Sequence, residues 1–513
     1  MHRCLFIDEI VANILECYNC YSDICLHRDD QVRSSLQDLY ALSRTCRSLN
    51  GLAVDALWRT QWSLGPLVKC MNSATVVRRK SPLLGAFHIT VSLEFPPSPA
   101  DWKTIAPFAA RIRNFVGGSP LRNAFVVPHE TLDMLLRTCP TSSLLPNLTT
   151  ATNLYVPPMF PSSSVPSLWL DRLLTRRLTV LDLQLFADDS ASESRAVANL
   201  LVEKCPDLRK IFVYSHEWTS LPAFIEPIST LNVQEFEFVI QHGYQTQSSP
   251  TSASTYPFLQ LRKLKLQYGV PAQMFEVLRS ISAPNLQELD LGISGELTQS
   301  GPQSEMDVTL LSDVISVQPS WTSTLHSLSI SFGGCARPMS LVLAPILGLK
   351  NLRALDLRYA DLVLTDAVVA KMQQAWPLIE AIVVACPWYT RGSESTISLG
   401  TLASIALLWP NLKNLRFDRT IINASGLSDV GEGSAKPIKQ LAHKTSWSRL
   451  KPQTVTVAFG SVDPSPDPGA FANWLRETFS PRHVELDLTH DFNPWTPRAS
   501  YLIEVQQILE LGL

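Results

Sequence analysis

Short apolar segments of one form recur along this chain, and any fold must give them all the same role. Each has an apolar residue, usually leucine, then two variable residues, a second apolar residue, one variable residue and a third apolar residue. Seven clear copies are Leu178-Thr-Val-Leu181-Asp-Leu183, Leu208-Arg-Lys-Ile211-Phe-Val213, Leu261-Arg-Lys-Leu264-Lys-Leu266, Leu286-Gln-Glu-Leu289-Asp-Leu291, Leu325-His-Ser-Leu328-Ser-Ile330, Leu352-Arg-Ala-Leu355-Asp-Leu357 and Leu412-Lys-Asn-Leu415-Arg-Phe417. Val233-Gln-Glu-Phe236-Glu-Phe238, Leu378-Ile-Glu-Ala381-Ile-Val383 and Val484-Glu-Leu486-Asp-Leu488 are weaker members. The last two apolar positions lie two apart, the spacing at which side chains share one face of a strand. Between motifs, the stretch from Ala191 to Cys205, with Ala196, Leu200 and Leu201, reads as a helix. So does Ala272 to Ser282, with Phe275, Val277, Leu278 and Ile281. Each unit is therefore a strand followed by a helix.

The first residues of successive motifs from Leu178 to Leu412 lie 25 to 39 residues apart, the lengths of leucine-rich repeats with insertions. Several motifs follow a proline that ejects the chain from its helix, as in Cys205-Pro206-Asp207, Ala283-Pro284-Asn285, Trp376-Pro377 and Trp409-Pro410-Asn411. One strand-helix pair cannot bury its apolar face alone, so copies stack. The fold class expected is α/β: a leucine-rich-repeat solenoid with a parallel sheet on its concave side and helices outside. A doubly wound α/β enzyme would also alternate strands and helices, but no glycine-rich phosphate loop follows any of these strands. Phe87-His-Ile89-Thr-Val91-Ser-Leu93 alternates as a strand and Ile112-Arg-Asn-Phe115-Val116 has the form of a degenerate repeat, which places the start of the array near residue 85. Residues between the buried strand positions should line the concave face and contact a protein substrate: Asp182, Lys210, Glu237, Lys263, Lys265, Glu288, Asp290, Asp356, Arg358, Asn414 and Arg416. Their mixed signs suit a polar protein epitope better than a phosphate polymer. Trp376, Trp409, Trp447 and Trp474 read as packing between repeats.

Upstream, Ile7, Ile10, Val11, Ile14 and Leu15 fall at helical spacing behind Asp8. A second helix is expected from Leu36, Leu39, Leu42, Cys46 and Leu49, and a third from Leu52 to Trp58 through Ala53, Ala56 and Leu57. Three segments, Leu5-Phe-Ile-Asp-Glu-Ile10, Leu39-Tyr-Ala-Leu-Ser-Arg-Thr-Cys46-Arg-Ser-Leu49 and Ala53 to Leu57-Trp58, resemble an F-box. Their combination with C-terminal repeats is similar to the F-box proteins of mushroom-forming fungi. Asp8 stands where the family usually has proline, and residues 16–35 are an insertion between the first two helices. The resemblance implies an F-box-like helical domain over 1–65, a linker over 66–84 and an irregular repeat domain over 85–513. It further implies docking to a Skp-type adaptor and a cullin complex through Leu5, Ile7, Ile10, Ile14, Leu39, Leu42, Leu57 and Trp58, with the repeats choosing a protein substrate for ubiquitin transfer. The competing reading is an interaction scaffold outside the ubiquitin machinery, its first 60 residues only capping the array.

Composition narrows the remaining classes. Over 513 residues, 45% are hydrophobic and 17% charged, which is rich enough to fold and too poor in charge for disorder. A net charge of -3 gives no field toward nucleic acid or an anionic bilayer. No run of about 18 apolar residues occurs, and Asp8 and Glu9 interrupt the apolar N-terminus, so an intracellular, cytoplasmic or nuclear protein is expected. The sequons at Asn147 and Asn423 would then go unmodified. Cys17, Cys20, Cys25 and His27 have zinc-like spacing, but no second pair follows, so ordinary thiols, no metal and no cofactor are expected. With no HExxH, GxSxG or Walker loop, the chain reads as non-enzymatic.

Overall fold

The computed structural model describes residues 14–15, 29–45, 47–80, 87–117, 125–155, 165–185, 191–215, 220–240, 255–269, 271–294, 315, 318–333, 339–340, 343–358, 360–385, 395–424, 454–463, 467–480, 483–486 and 497–511. The protein is mixed α/β and divides into two compact units, Met1–Ser248 and Ser249–Leu513. Among the described residues no helix is long and apolar enough to cross a membrane.

In chain order the first unit contains α1 (Asp29–Ser43), α2 (Arg47–Arg59), β1 (Thr60–Gln61), α3 (Gly65–Lys69), β2 (Ala74–Lys80), β3 (Phe87–Leu93), α4 (Pro99–Ala109), β4 (Asn114–Val116), β5 (Phe125–Val126), α5 (His129–Thr138), β6 (Thr150–Tyr155), α6 (Val165–Leu173), β7 (Val180–Gln184), α7 (Ala191–Lys204), β8 (Lys210–Ser215), α8 (Ser220–Ile228) and β9 (Glu235–Ile240). Its main sheet runs β1-β4-β6-β7-β8-β9, with every pair parallel. The strand expected at Phe87–Leu93 forms, but in a separate sheet with β2 and β5, antiparallel to β2. The parallel ladder begins at Thr60, immediately after α2, where the sequence placed its start near residue 85. Residues 66–84, expected as a linker, carry α3 and β2.

The second unit contains β10 (Tyr256–Pro257), β11 (Lys263–Gly269), α9 (Pro271–Ser280), β12 (Ile281–Ser282), β13 (Glu288–Ser294), α10 (Trp321–Thr324), β14 (Ser327–Gly333), β15 (Met339–Ser340), a 3-10 turn (Ile346–Gly348), β16 (Ala354–Arg358), β17 (Ala360–Asp361), α11 (Asp366–Ala375), β18 (Ala381–Ala385), β19 (Ser395–Ser398), α12 (Leu399–Leu408), β20 (Asn414–Asn423), β21 (Thr454–Asp463), α13 (Pro468–Phe479), β22 (His483–Leu486) and α14 (Pro497–Leu511). Its main sheet runs β11-β13-β14-β16-β18-β20-β21-β22, again all parallel and in chain order.

The repeated motif accounts for this order through its register. Leu264, Leu289, Leu328, Leu355, Ile382, Leu415, Val457 and Leu486 face one another strand by strand, and all are buried. In the first unit Leu181 pairs with Ile211 and Ile211 with Phe236, and they are equally buried. Each such side chain removed from water stabilises the stack by about 1.5–3 kcal/mol, and only same-register neighbours complete the row. One motif was placed one residue off. Leu378 is 39% exposed while Ile379, Ile382 and Val384 are buried, so the repeat reads Ile379-Glu-Ala-Ile382-Val-Val384. Adjacent apolar residues satisfied both phases in sequence, but a slip of one residue turns the whole set to the other face, and only one phase meets the buried row.

The turns before the strands add a second tie. Asn147, Asn285 and Asn351, each just before the first leucine of a motif, donate their side-chain amides to the carbonyls of Ala110, Leu259 and Ser323 in the preceding repeat, at 2.7, 2.8 and 2.5 Å. Trp376 and Trp409 are fully buried, as is Trp321, whose indole N–H donates to the Ala283 carbonyl at 3.0 Å. Trp474 is half-buried and stacks on Phe471, while Trp447 lies outside the described residues.

Candidate functional site

Two surfaces come into question, the sheet face that the motif leaves open and the N-terminal helices. On the motif strands most residues between the buried positions are half-buried or exposed, Val239 being buried, and the parallel register lines them up in rows. In the first unit one row runs Thr150, Val180, Lys210, Glu235, the next holds Asp182, Phe212 and Glu237, and a third holds Gln184, Tyr214 and Val239. In the second unit the rows are Lys263, Glu288, Ser327, Ala354, Ala381, Asn414, Thr456 and Lys265, Asp290, Ser329, Asp356, Val383, Arg416, Ala458, followed by Ser331 beside Arg358 and Arg358 beside Ala385. All eleven face residues expected from the sequence lie in these rows.

Most of the charges already have partners on the face. Lys210 pairs with Glu235 at 2.7 Å and Lys263 with Glu288 at 3.1 Å, neighbours across adjacent strands. Arg358 holds Asp356 through both Nε and Nη2, at 3.0 and 2.8 Å to Oδ2. Just before the strands, Glu380 accepts from Lys413 at 2.6 Å and Arg353 at 3.3 Å, and the Lys413 hydrogen bond holds its carboxyl below the usual range despite partial burial.

Asp182 differs. Burial pushes its carboxyl up to about 6, opposed by a hydrogen bond from the backbone N–H of Asn153 and reinforced by the charge of Glu237. Its Oδ1 is buried and meets no hydrogen-bond partner. The Asn153 N–H reaches it because β6 is bulged, its register shifting between Ala151 and Leu154, with Asn153 in the left-handed region at φ 52°. The Asn153 side chain is fixed at both ends: Nδ2 donates to the Gly117 carbonyl at 2.6 Å, and Oδ1 accepts from Gln184 Nε2. Gly117 has no alternative here, since a Cβ would lie 2.1 Å from the Asn153 carbonyl oxygen. Tyr214, on the strand after Asp182, has its phenol pushed up by burial and by the charges of Asp182 and Glu237. Phe212 and Tyr214 were missed in the sequence because aromatic residues at strand positions read as core. Their place in the motif, the same as that of Asp182 and Gln184, was the available signal.

At the N-terminus, Leu15, Leu39 and Ala56 form a buried cluster that Leu42, Leu49, Leu52 and Leu57 pack against. The second expected helix breaks. It ends at Ser43 and a new one starts at Arg47, so Leu49 belongs to α2. The Ser43 and Thr45 hydroxyls donate to the Tyr40 and Leu42 carbonyls, each at 2.7 Å, and Asn50 caps the Ser43 carbonyl at 2.7 Å. These side chains take over helix carbonyls at the break. Of the expected adaptor contacts, Leu39 is fully buried, Leu42 and Leu57 are partly buried, and Ile14 is exposed. Trp58 lies against Phe108 of α4, with ring centroids 4.6 Å apart, and Asp55 pairs with Arg111 at 2.5 Å. Leu5, Ile7 and Ile10 lie outside the described residues, as do Cys17, Cys20, Cys25 and His27. Tyr40, which the sequence did not single out, is 58% exposed with the Arg44 guanidinium over its ring. Among the described residues no group of three or more His, Cys, Asp or Glu is placed to hold a metal ion.

No family model and no curated protein matches the chain. Among solved structures, the crystal structure of the Rad7 and Elc1 complex in yeast is similar over 81% of this chain and 89% of that chain, at 14% identity and a TM-score of 0.31.

Proposed function

We propose that this chain is the substrate receptor of a cullin-RING ubiquitin ligase, a leucine-rich-repeat protein whose open sheet face binds a target and whose F-box-like N-terminal helices dock a Skp-type adaptor. The observation that carries the reading is the register. Within each unit the strands stack in chain order, so alternate residues form continuous rows in which polar and aromatic side chains are interspersed with alanine and valine, a surface suited to a polypeptide. The N-terminal segment supports docking by resemblance and by its geometry, a pair of helices closed over Leu39 and Ala56 with Ile14 and Tyr40 left exposed. Such a receptor breaks no bond and needs no cofactor. It raises the effective concentration of a target beside the charged conjugating enzyme, which makes transfer quasi-intramolecular. It would work in the cytoplasm or nucleus.

Co-expression of the full chain with a Skp-type adaptor tests this. The expected result is stoichiometric co-purification, weakened by Ile14→Asp combined with Tyr40→Asp. Failure of the unmodified chain to retain the adaptor would overturn the ligase assignment. A second reading, a repeat scaffold whose helices only cap the array, is favoured by Trp58 and Asp55, which are engaged on the ladder side by Phe108 and Arg111. It expects no adaptor binding while partners of the sheet face are kept.

A further inference from the structure

We infer that the outer edge of β2 in the first unit is a docking site for an extended acidic segment of a partner protein, which adds a fourth strand to the β2-β3-β5 sheet. The site is separate from the open face of the main sheet and from the N-terminal helices, so it goes beyond the receptor reading. In the order β2-β3-β5, β2 is hydrogen-bonded to a strand on one side only among the described residues. Its seven residues pair with β3 in one unbroken antiparallel register, from Ala74 with Leu93 to Lys80 with Phe87. In such a ladder alternate residues turn their N–H and C=O groups outward, so the far edge of β2 offers a regular row of donors and acceptors. An edge of this kind is a template for another strand, and proteins usually blunt it with a bulge, a proline or a charge. Ala74-Thr75-Val76-Val77 has none of these.

The side chains favour the same event. Val76 and Val77 project from opposite faces of the strand, and both are exposed, at 44% and 38%. Val76 lies across from Val91, which is fully buried, so that face of the small sheet has its core at β3 and is uncovered at its rim. On the other face Val77 continues into Thr90 and Val126, its register neighbours, and Val126 is 44% exposed. An added strand covers Val76 and Val77 together.

Charge complementarity selects the occupant. β2 ends in Arg78-Arg79-Lys80, and residues 74–93 contain no Asp or Glu. The next acid, Glu94, follows Leu93 at the opposite end of the strand and accepts the Thr75 hydroxyl at 3.3 Å. Opposite charges across adjacent strands stabilise a pair and like charges destabilise it, so an acidic run beside the basic end is accepted and a basic one rejected. Antiparallel pairing, the more stable per residue, puts the acids first in the partner's segment. After them come β-branched residues, which fit a pleated surface. This is strand addition, in which the main chain supplies affinity and the side chains supply choice.

The test is fluorescence-anisotropy titration of the full chain into the fluorescein-labelled peptide Glu-Asp-Glu-Val-Thr-Val-Thr. Saturable binding is expected. Lys-Arg-Lys in place of the three acids should weaken it at least tenfold. Two adjacent prolines in place of the first valine and threonine should do the same, because one of them falls on a ladder position in any register. Arg79→Glu combined with Lys80→Glu should lose the acidic peptide and take up the basic one, a swap that unfolding cannot produce. Lys263→Glu on the second unit should change neither affinity. Binding should also slow amide hydrogen exchange across residues 74–77, which a purely ionic contact leaves unchanged. No binding, equal affinity for the basic or the proline peptide, or binding with unaltered exchange would overturn the site. A dimer of the full chain in sedimentation that Arg79→Glu with Lys80→Glu dissociates would give the edge to a second copy and overturn the acidic partner. Adaptor capture is measured separately, so either reading can fail without the other.

Discussion

The two units build their sheets from the same motif but finish the open faces differently. In the second unit the outward rows carry small residues, Ser327, Ser329 and Ser331 on β14 with Ala354 and Ala381 on the next strands, and two charge pairs close there, Asp356 with Arg358 and Lys263 with Glu288. In the first unit Phe212 and Tyr214 take the equivalent positions, and Asp182 is left desolvated and under-satisfied. Both sheets are bulged at a non-glycine residue with positive φ. Tyr268 at the second unit's bulge is 53% exposed, whereas Asn153 at the first is tethered on both sides and aims its N–H at a carboxylate. The contrast teaches where to look on a repeat surface. Paired exposed charges describe a hydrated wall, while a buried, incompletely paired charge carries a standing energetic penalty.

If the units share their construction and differ only in their faces, core truncations should weigh alike. Leu183→Ala in the first unit and Leu357→Ala in the second, both fully buried, should each lower unfolding free energy by about 2–5 kcal/mol in denaturant titrations. A marked inequality would break the comparison at its base. Next in size, Gly117→Ala forces a Cβ to within 2.1 Å of the Asn153 carbonyl. A loss of about 1–3 kcal/mol is expected, and with it the Asn153 N–H to Asp182 bond.

The third prediction sharpens the difference directly. Because burial lifts the Asp182 carboxyl from 3.8 to about 6, the native state holds a proton that the unfolded chain has released between those values. Stability attributable to this group therefore falls as pH rises through that interval, and the penalty is complete above it. Asp182→Asn should make the protein more stable at pH 7.5, on the order of 1–3 kcal/mol, with the gain disappearing toward pH 4. A variant less stable at pH 7.5 would mark Asp182 as structural. The smallest effect belongs to the paired charges. Glu380 is held below the usual carboxylate range by Lys413 and Arg353, so its contribution is present at neutral pH and lost as pH falls through that lowered value. Glu380→Gln should cost under about 1 kcal/mol at pH 7 for so accessible a group, and less in high salt.

Much of this was legible in the residues. Repeats whose three apolar positions are all Leu, Ile or Phe, such as those at Leu261, Leu286 and Leu412, fall where the spacing places them, because no other phase buries the set. The repeat at Leu148 was hidden. Its bulge inserts an extra residue between Ala151 and Leu154, so the spacing of two becomes three. The strand at Thr454–Asp463 escaped as well, its buried positions held by Val455 and Val457 with no leucine at either. At the candidate site the charged positions were readable from motif phase, but the orphaned oxygen of Asp182 was not. It depends on Asn153, which joins Asp182 through the register of two strands.

Everything functional rests on the strands lying side by side with the stated residues opposite one another. Disulfide trapping measures that most directly. Ser329 and Asp356 are register partners on adjacent strands, about 4.8 Å apart by strand spacing, and Ser329 with Arg358 is two residues out of register, beyond the roughly 7 Å that a disulfide tolerates. The doubly substituted chain Ser329→Cys/Asp356→Cys should oxidise rapidly to an intramolecular bridge while Ser329→Cys/Arg358→Cys stays reduced. Equal rates or the opposite order would contradict the account.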